Sequence, residues 1–387
     1  MTDSNMSYDN TRSLIVPPGA RVPRRDVLKL GALGLGGLAV GGTLLSACGD
    51  DDDEATSGAK ERIKAHWVYI GPPDDNGWTQ EHDRGRKAAQ AALGERLESA
   101  FTPNVGFDAS TSQLFQQLAD DGNDIVFINT EYAGLLTDVA AANPDTKWVE
   151  TNGHVFTDNH FAFYLAHEIP AYLLGIAAGM MAPNGRIGYI GAFPTATTYN
   201  DVNGLLLGAR TVNPEATVSN ILVNTFFDPQ LAAQATDALV NAGVEFLFGV
   251  MDEPTFLQLS EEAGVWTGYW HLDSRVAAPT KYVNNFDLSE FGPFYTDQCR
   301  QVLDGTWSAP SEIFLLDTPL GAWGPEVPQD VQDAVAAAAD QIASGDLHVY
   351  EGPLVDNTGI ERLAAGEVID SLGAYSLDFA VEGVSGI

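Results

Sequence analysis

From residue 63 onward the chain alternates short runs of β-branched and aromatic residues with longer Ala- and Leu-rich runs of helical period. Few architectures tolerate that alternation. Strands that follow one another through helical crossovers must lie parallel, and parallel sheets are covered by helices on both faces. Asp124-Ile125-Val126-Phe127-Ile128 is a continuous apolar strand core of the kind such sheets bury. The first block reads as strands over 63–70, 97–103, 124–129 and 147–151, with helices over 79–93, 110–120 and 133–142. Leu114, Phe115 and Leu118 fall on one side of the second helix. A second block starts after a crossing near Phe161 to His167. Its helices are expected over 168–181, 199–212, 230–242 and 253–263, and its strands over 186–191, 217–224, 245–250 and 265–270. Helices over 290–303 and 329–344 follow, the first on a segment returning to the first block.

The expectation is an α/β protein of two doubly wound lobes joined by a hinge, with a cleft between them. The first lobe takes in 61–166 plus 283–345, the second 167–282 plus 346–387. In such sheets the loops at the carboxyl ends of strands line the ligand crevice. The loop after the first strand is sharply defined, because Pro72, Pro73, Asp74, Asp75, Asn76 and Gly77 are breakers and turn formers. Trp78 then falls on or just inside the first helical turn, where a flat side chain can cover a flat ligand or plug the strand–helix joint. Asn129-Thr130-Glu131-Tyr132 ends another first-lobe strand and faces the same crevice.

The amino-terminal segment is read as an address. Arg24-Arg25-Asp26-Val27-Leu28-Lys29 precedes a Gly- and Ala-rich apolar run that closes on Leu45-Ser46-Ala47-Cys48. The arginine pair resembles a twin-arginine export signal over 1–47, and Leu45 to Cys48 resembles a lipobox whose cysteine is acylated. Residues 48–60, opening on Asp50-Asp51-Asp52-Asp53-Glu54, form an acidic tether. Lys and Arg total 19 against 53 Asp and Glu, a net charge of −34. Such a surface repels nucleic acid, so a DNA- or RNA-binding role is excluded. The two cysteines, Cys48 and Cys299, build neither a disulfide framework nor a zinc site. Neither a metal-binding spacing, a nucleophile elbow nor a P-loop is present, so no metal, cofactor or catalytic residue is assigned.

The run from Ile70 to Lys87 resembles the opening of the basic membrane protein family of substrate-binding lipoproteins. Gly188-Tyr-Ile-Gly191, Gly208-Ala-Arg-Thr-Val-Asn-Pro214, Phe226-Phe-Asp-Pro229, Gly292-Pro-Phe-Tyr295, Val302-Leu-Asp-Gly-Thr-Trp307 and Gly352-Pro353 follow in family order. The resemblance implies a type I periplasmic-binding-protein fold. It also implies service to an ABC permease and ATPase, a lipid anchor on Cys48 at the outer face of the cytoplasmic membrane, and a purine base or nucleoside as ligand. Trp78 stands where the family places an aromatic that stacks on the purine. Phe226 or Phe227 matches a second aromatic, and Asp228 either accepts from the base or caps a helix. Asn129, Thr130 and Tyr132 reach toward the base edge, and Asp252 and Asp273 are strand-end carboxylates in the second lobe. Asp75, Thr79 and Trp270 complete the expected ligand-binding set. His82 is a donor at the cleft or a prop beneath Trp78. Gly268-Tyr269-Trp270 carries a Trp where the nucleoside binders resemble one another in an acid, and Asn284 or Asn285 replaces an expected lysine. Those departures favour a free base. A nucleoside-cleaving surface hydrolase and a sensor lipoprotein without a permease are the alternatives.

Overall fold

The computed structural model describes residues 58–132 and 134–387. The expected signal, Cys48 and the tether up to residue 57 lie outside the described residues. In chain order the first lobe contributes β1 (Ile63–Val68), α1 (Trp78–Leu93), β2 (Leu97–Thr102), α2 (Ala109–Asp120), β3 (Ile125–Ile128), α3 (Gly134–Ala142), β4 (Lys147–Thr151) and β5 (His160–Leu165). The chain then enters α4 (Glu168–Met181), β6 (Arg186–Gly191), α5 (Ala196–Arg210), β7 (Thr217–Leu222), α6 (Pro229–Asn241), β8 (Phe246–Gly249), α7 (Thr255–Ala263), β9 (Trp266–Tyr269) and β10 (Tyr282–Asn285). It continues through α8 (Phe291–Asp304), β11 (Phe314–Leu316) and α9 (Gln329–Ser344). The carboxyl-terminal part holds β12 (Tyr350–Glu351), β13 (Leu354–Val355), β14 (Glu361–Leu363), β15 (Val368–Ile369), α10 (Ser371–Ala374) and β16 (Val384–Ser385).

Two six-stranded parallel sheets result, ordered β11-β5-β4-β3-β1-β2 and β10-β9-β8-β6-β7-β16. Alternation along the strands divides the first lobe's core. Trp67 and Phe127, cross-strand partners stacked at 4.8 Å, face a cluster that includes Phe291 and Tyr295 of α8. Val68, Val126 and Ile128 face Phe115, Leu118 and Leu136 of α2 and α3 on the other side. In both sheets strand order reverses beside the first strand of the lobe, between β1 and β3 and between β6 and β8. Loops leaving strands at such a reversal splay apart and open a crevice.

The return from the second lobe comes later than the expected boundary at 283. β10 pairs with β9, so its four buried residues belong to the second sheet. α9 packs against α4, which puts 329–344 with the second lobe rather than the first. Among the described residues three crossings connect the lobes: at Ala166 and His167, after Asn285, and after Leu316. The last two run side by side, with Phe286 bridging Leu320 and Asp287 N–H donating to Pro319 O at 2.7 Å. β5 and β11 are further departures from the sequence reading. β5 is buried along its whole length and pairs parallel with β4 with no helix between them, so the alternation that marks the other strands is missing. Among the described residues no helix is long and apolar enough to cross a membrane, and no group of His, Cys, Asp and Glu could hold a metal ion.

Candidate ligand-binding site

A cavity of about 430 Å³ lies between the carboxyl ends of the two sheets. Its walls come from residues just past β1, β3 and β4 and at the end of β5 in the first lobe, and from residues past β6, β7, β8 and β9 in the second. That size is ordinary for a small-molecule site.

Asp75 shapes the first wall. Its carboxylate accepts the backbone N–H groups of Gly77, Thr79 and Gln80, each at 2.9 Å, and so satisfies the open amino end of α1. Trp78, the first residue of that helix, is thereby aimed at the cavity. Its Nε1–H donates to the backbone carbonyl of Asn129 at 2.6 Å, which fixes the ring plane. Asn129 in turn accepts the N–H of Ile70 through Oδ1 at 2.9 Å. His82 supports the indole from below: the rings meet edge-on at 4.3 Å, and Nδ1 lies 2.5 Å from the Tyr295 hydroxyl. Burial holds the His82 pKa well below its usual value, so the prop is neutral.

The second lobe brings Trp270 onto Trp78. The two indoles are near-parallel, 15° apart with centroids at 5.4 Å. This is offset stacking across the gap between lobes. Beside the pair, Asp252 Oδ1 accepts the Trp78 backbone N–H at 3.2 Å. Burial, then the nearby Asp75, push the Asp252 carboxyl up to about 8. Farther along, Glu131 is pushed up to about 7, by burial first and by Glu150 second. His154 and Tyr375 share that end of the cavity, with Tyr375 donating its hydroxyl to Gly153 O at 2.6 Å. Phe193 and Phe226 touch edge-on at 5.5 Å and remain partly exposed. Residues 195–198 at the start of α5 form another stretch of wall. Among the described residues that line the cavity there is no Lys or Arg.

Of the expected ligand-binding residues, Trp78, Asn129, Phe226, Asp252 and Trp270 line this cavity, as do Thr130 and Glu131. The others do not. Asp75 is spent on the α1 cap, and Thr79 is buried beside Asn129. Tyr132 turns outward into the packing around α2 and α3, donating its hydroxyl to Val105 O at 2.7 Å. Phe227 points to solvent, 58% exposed, where Phe226 faces the cavity. Asp273 is held outside by a fork to Arg275. Asp228 caps α6, accepting from Gln230 and Leu231 N–H. Asn284 and Asn285 are buried against Gly321 O and Phe286 O. His167, Tyr164, Asn152, His154 and Tyr375 line the cavity without having been singled out. His167, Tyr164, His154 and Tyr375 are placed by partners distant in sequence, such as Asp201 for His167 and Asn200 for Tyr164, and no local pattern announces that.

Comparison with known proteins bears on the family and the fold. A family model described as Bmp, ABC transporter substrate-binding protein PnrA-like, matches residues 63–258. The chain is 32% identical over 329 residues to a purine-binding protein of Brucella abortus, covering 84% of this chain and 94% of that one. It is also 32% identical to a putative ABC transporter glucose-binding protein of Haloferax volcanii, covering 81% of each. Among solved structures, a solute-binding protein of an ABC transporter system from Conexibacter woesei superposes with a TM-score of 0.61 at 19% identity, covering 74% of this chain and 98% of that one. A counterpart from Aeropyrum pernix gives 0.60 at 14% identity, with 78% and 94% covered. At those identities the superpositions speak for the fold.

Proposed function

The chain belongs to the Bmp family of PnrA-like ABC transporter substrate-binding proteins, and on that premise we propose that it captures a purine base or nucleoside in the cavity between its lobes. The observation that carries this reading is the stacked pair Trp78 and Trp270, one ring from each lobe, on the cavity wall. A planar heterocycle can lie on the open face of such a pair, and its edge is within the chemistry of Asn129, His167, Asp252 and Glu131. Trp270 offers no carboxylate to ribose hydroxyls, which favours the free base over its nucleoside. The relative from Brucella abortus carries purine binding in its name.

Substrate-binding proteins of ABC systems act outside the cytoplasm and deliver their solute to a permease and ATPase. For this chain we assign a lipid anchor on Cys48 and export by the twin-arginine route, from the Arg24-Arg25 pair and the Leu45 to Cys48 motif. On this reading the ligand is carried rather than transformed, which is in keeping with a family of ABC transporter substrate-binding proteins. A second reading has its own support. Carboxyls and an aromatic face also suit a pyranose, and the Haloferax volcanii relative is named for glucose. Calorimetry of the intact protein with adenine, hypoxanthine, inosine and glucose decides between them. Heat from adenine or hypoxanthine and none from glucose is expected; heat from glucose alone would replace the purine reading with the sugar one.

A further inference from the structure

His167 lies on the first crossing, immediately before α4, and lines the cavity. Its ring is wedged among Tyr164, Trp270 and Phe286, with centroids 6.1, 6.3 and 5.8 Å away. The residue is 3% exposed, so its orientation is set by packing rather than by solvent. Nδ1 lies 2.9 Å from Oδ1 of Asp201 on α5, and the Tyr189 hydroxyl of β6 donates to Oδ2 of the same carboxylate at 2.7 Å. Both partners are fully buried. An ionised carboxylate can only accept hydrogen bonds. With Tyr189 donating to one oxygen, the other takes the Nδ1–H of His167 and pins that tautomer. In a neutral imidazole a proton on Nδ1 leaves Nε2 as a lone pair.

We infer that Asp201 makes His167 a hydrogen-bond acceptor in the cavity, so that the site selects ligands presenting an N–H to Nε2. This rests on the purine reading and deepens it. Purine bases carry such groups on the ring and on exocyclic amines, and methylation removes them one at a time. A ligand methylated at the nitrogen that faces His167 leaves the accepting Nε2 unpaired, and a buried group without its partner is costly. His167 is then a specificity-determining residue that neither stacks nor closes the lobes.

Two measurements on the intact protein test it. The first is the nitrogen NMR signal of His167, assigned by its loss in H167Q. The ligand-free protein should show a protonated Nδ1 and a bare Nε2, and adenine should shift Nε2. An imidazolium signal, or an Nε2 that adenine leaves unmoved while calorimetry records its binding, would overturn the inference. The second compares adenine, 9-methyladenine and N6,N6-dimethyladenine. In the wild type at least one methylated compound should bind about tenfold or more weaker than adenine. In D201N the amide NH₂ would donate to Nδ1 and move the imidazole proton to Nε2, so this variant should erase that gap. H167F, which has no acceptor, should erase it as well and serves if D201N does not fold. Equal methyl penalties in wild type and variant would refute the inference. If no purine binds at all, the purine reading fails on its own, and the ligand-free nitrogen signal still tests the polarity of His167.

Discussion

Oδ1 of Asp252, on the second lobe, accepts the backbone N–H of Trp78, the first residue of α1 on the first lobe, at 3.2 Å. The contact requires glycine at position 77, where an added Cβ would sit 2.6 Å from the Cβ of Asp252. Gly77 has a negative φ, −150°, and the added Cβ would run into Asp252 itself, so the cost of a side chain falls on the gap between lobes. Gly77→Ala should prop the cleft open. Adenine affinity is expected to fall about tenfold or more, with a buried hydrogen bond worth roughly 1–3 kcal/mol lost on closure. Calorimetry reads the affinity, and a small change in melting temperature separates this from unfolding. Unchanged affinity would show that closure does not bring these two residues together.

The indole pair should behave as a coupled unit. Trp78→Ala and Trp270→Ala are each expected to weaken adenine binding by about tenfold or more, since a stacked aromatic contact contributes about 0.5–1.5 kcal/mol beyond its buried area. Because the rings touch each other, the double variant should lose less than the two single losses added together. A double-mutant cycle with no coupling energy would mean that the rings act on the ligand separately.

The raised carboxyls give stability a direction in pH. Asp252 is pushed up to about 8 and Glu131 to about 7, against an ordinary carboxyl near 4 in the unfolded chain. The folded protein therefore holds these protons where the unfolded chain releases them. Their contribution is whole below the ordinary carboxyl range and is lost as pH rises through about 7 and 8. Asp75, Glu253 and Trp78 N–H all act on Asp252, and His271 lies 3.8 Å from it. Asp252→Asn keeps an acceptor for Trp78 and removes the titration. It should melt about 2–4 °C above the wild type at pH 9, with no advantage at pH 4. Parallel melting curves for wild type and variant across that range would contradict the assignment.

How far the residues announce this arrangement differs with range. The parallel strands of 124–129 and 245–250 are visible as apolar runs, and Trp78 is placed by the turn formers that precede it. The Asp228 cap is visible too, since Pro229 follows it at the start of α6. Local pattern loses its hold where the partner lies far away. Asp75 and Thr79 sit beside Trp78 and read as site residues, yet the amino end of α1 needs a carboxylate and Asp75 supplies it. Tyr132 is three residues from Asn129 but faces the opposite side of the sheet. His167 depends on Asp201, and Tyr375 reaches first-lobe Gly153 from the carboxyl-terminal segment. Those pairings are properties of the folded chain rather than of any window of sequence.

The second lobe rests on a close helix crossing, which makes a stability prediction independent of the ligand. Gly204 and Gly208, one turn apart on α5, face the backbone of α4; a Cβ at 204 would lie 2.9 Å from Glu168 O, and one at 208 would strike Tyr172 O. Backbone on both sides leaves little to relax. Gly208→Ala should destabilise by about 1–3 kcal/mol, the usual cost of overpacking, even though alanine is the better helix former. The midpoint of denaturant unfolding reads this, and a stabilised variant would mean that the helices stand farther apart.

Finally, the cavity should discriminate by charge. A nucleotide would bring a phosphate dianion among walls on which the described residues offer no Lys or Arg and two carboxyls, Glu131 and Asp252. One feature favours an anion: the start of α5, with Thr195 at its N-cap, lines the cavity. A helix amino end contributes about 0.3–1 kcal/mol, rising to about 2 in partly buried geometry. Taking an ion out of water without a countercharge costs several kcal/mol, so desolvation wins. AMP is expected to bind about a hundredfold or more weaker than adenine in titrations at low salt. Raising the pH from about 6 to about 9 ionises Glu131 and Asp252, and should widen that gap. AMP binding as tightly as adenine would place the phosphate outside the cavity or a cation beside it, and the electrostatic account of the site would have to be rebuilt.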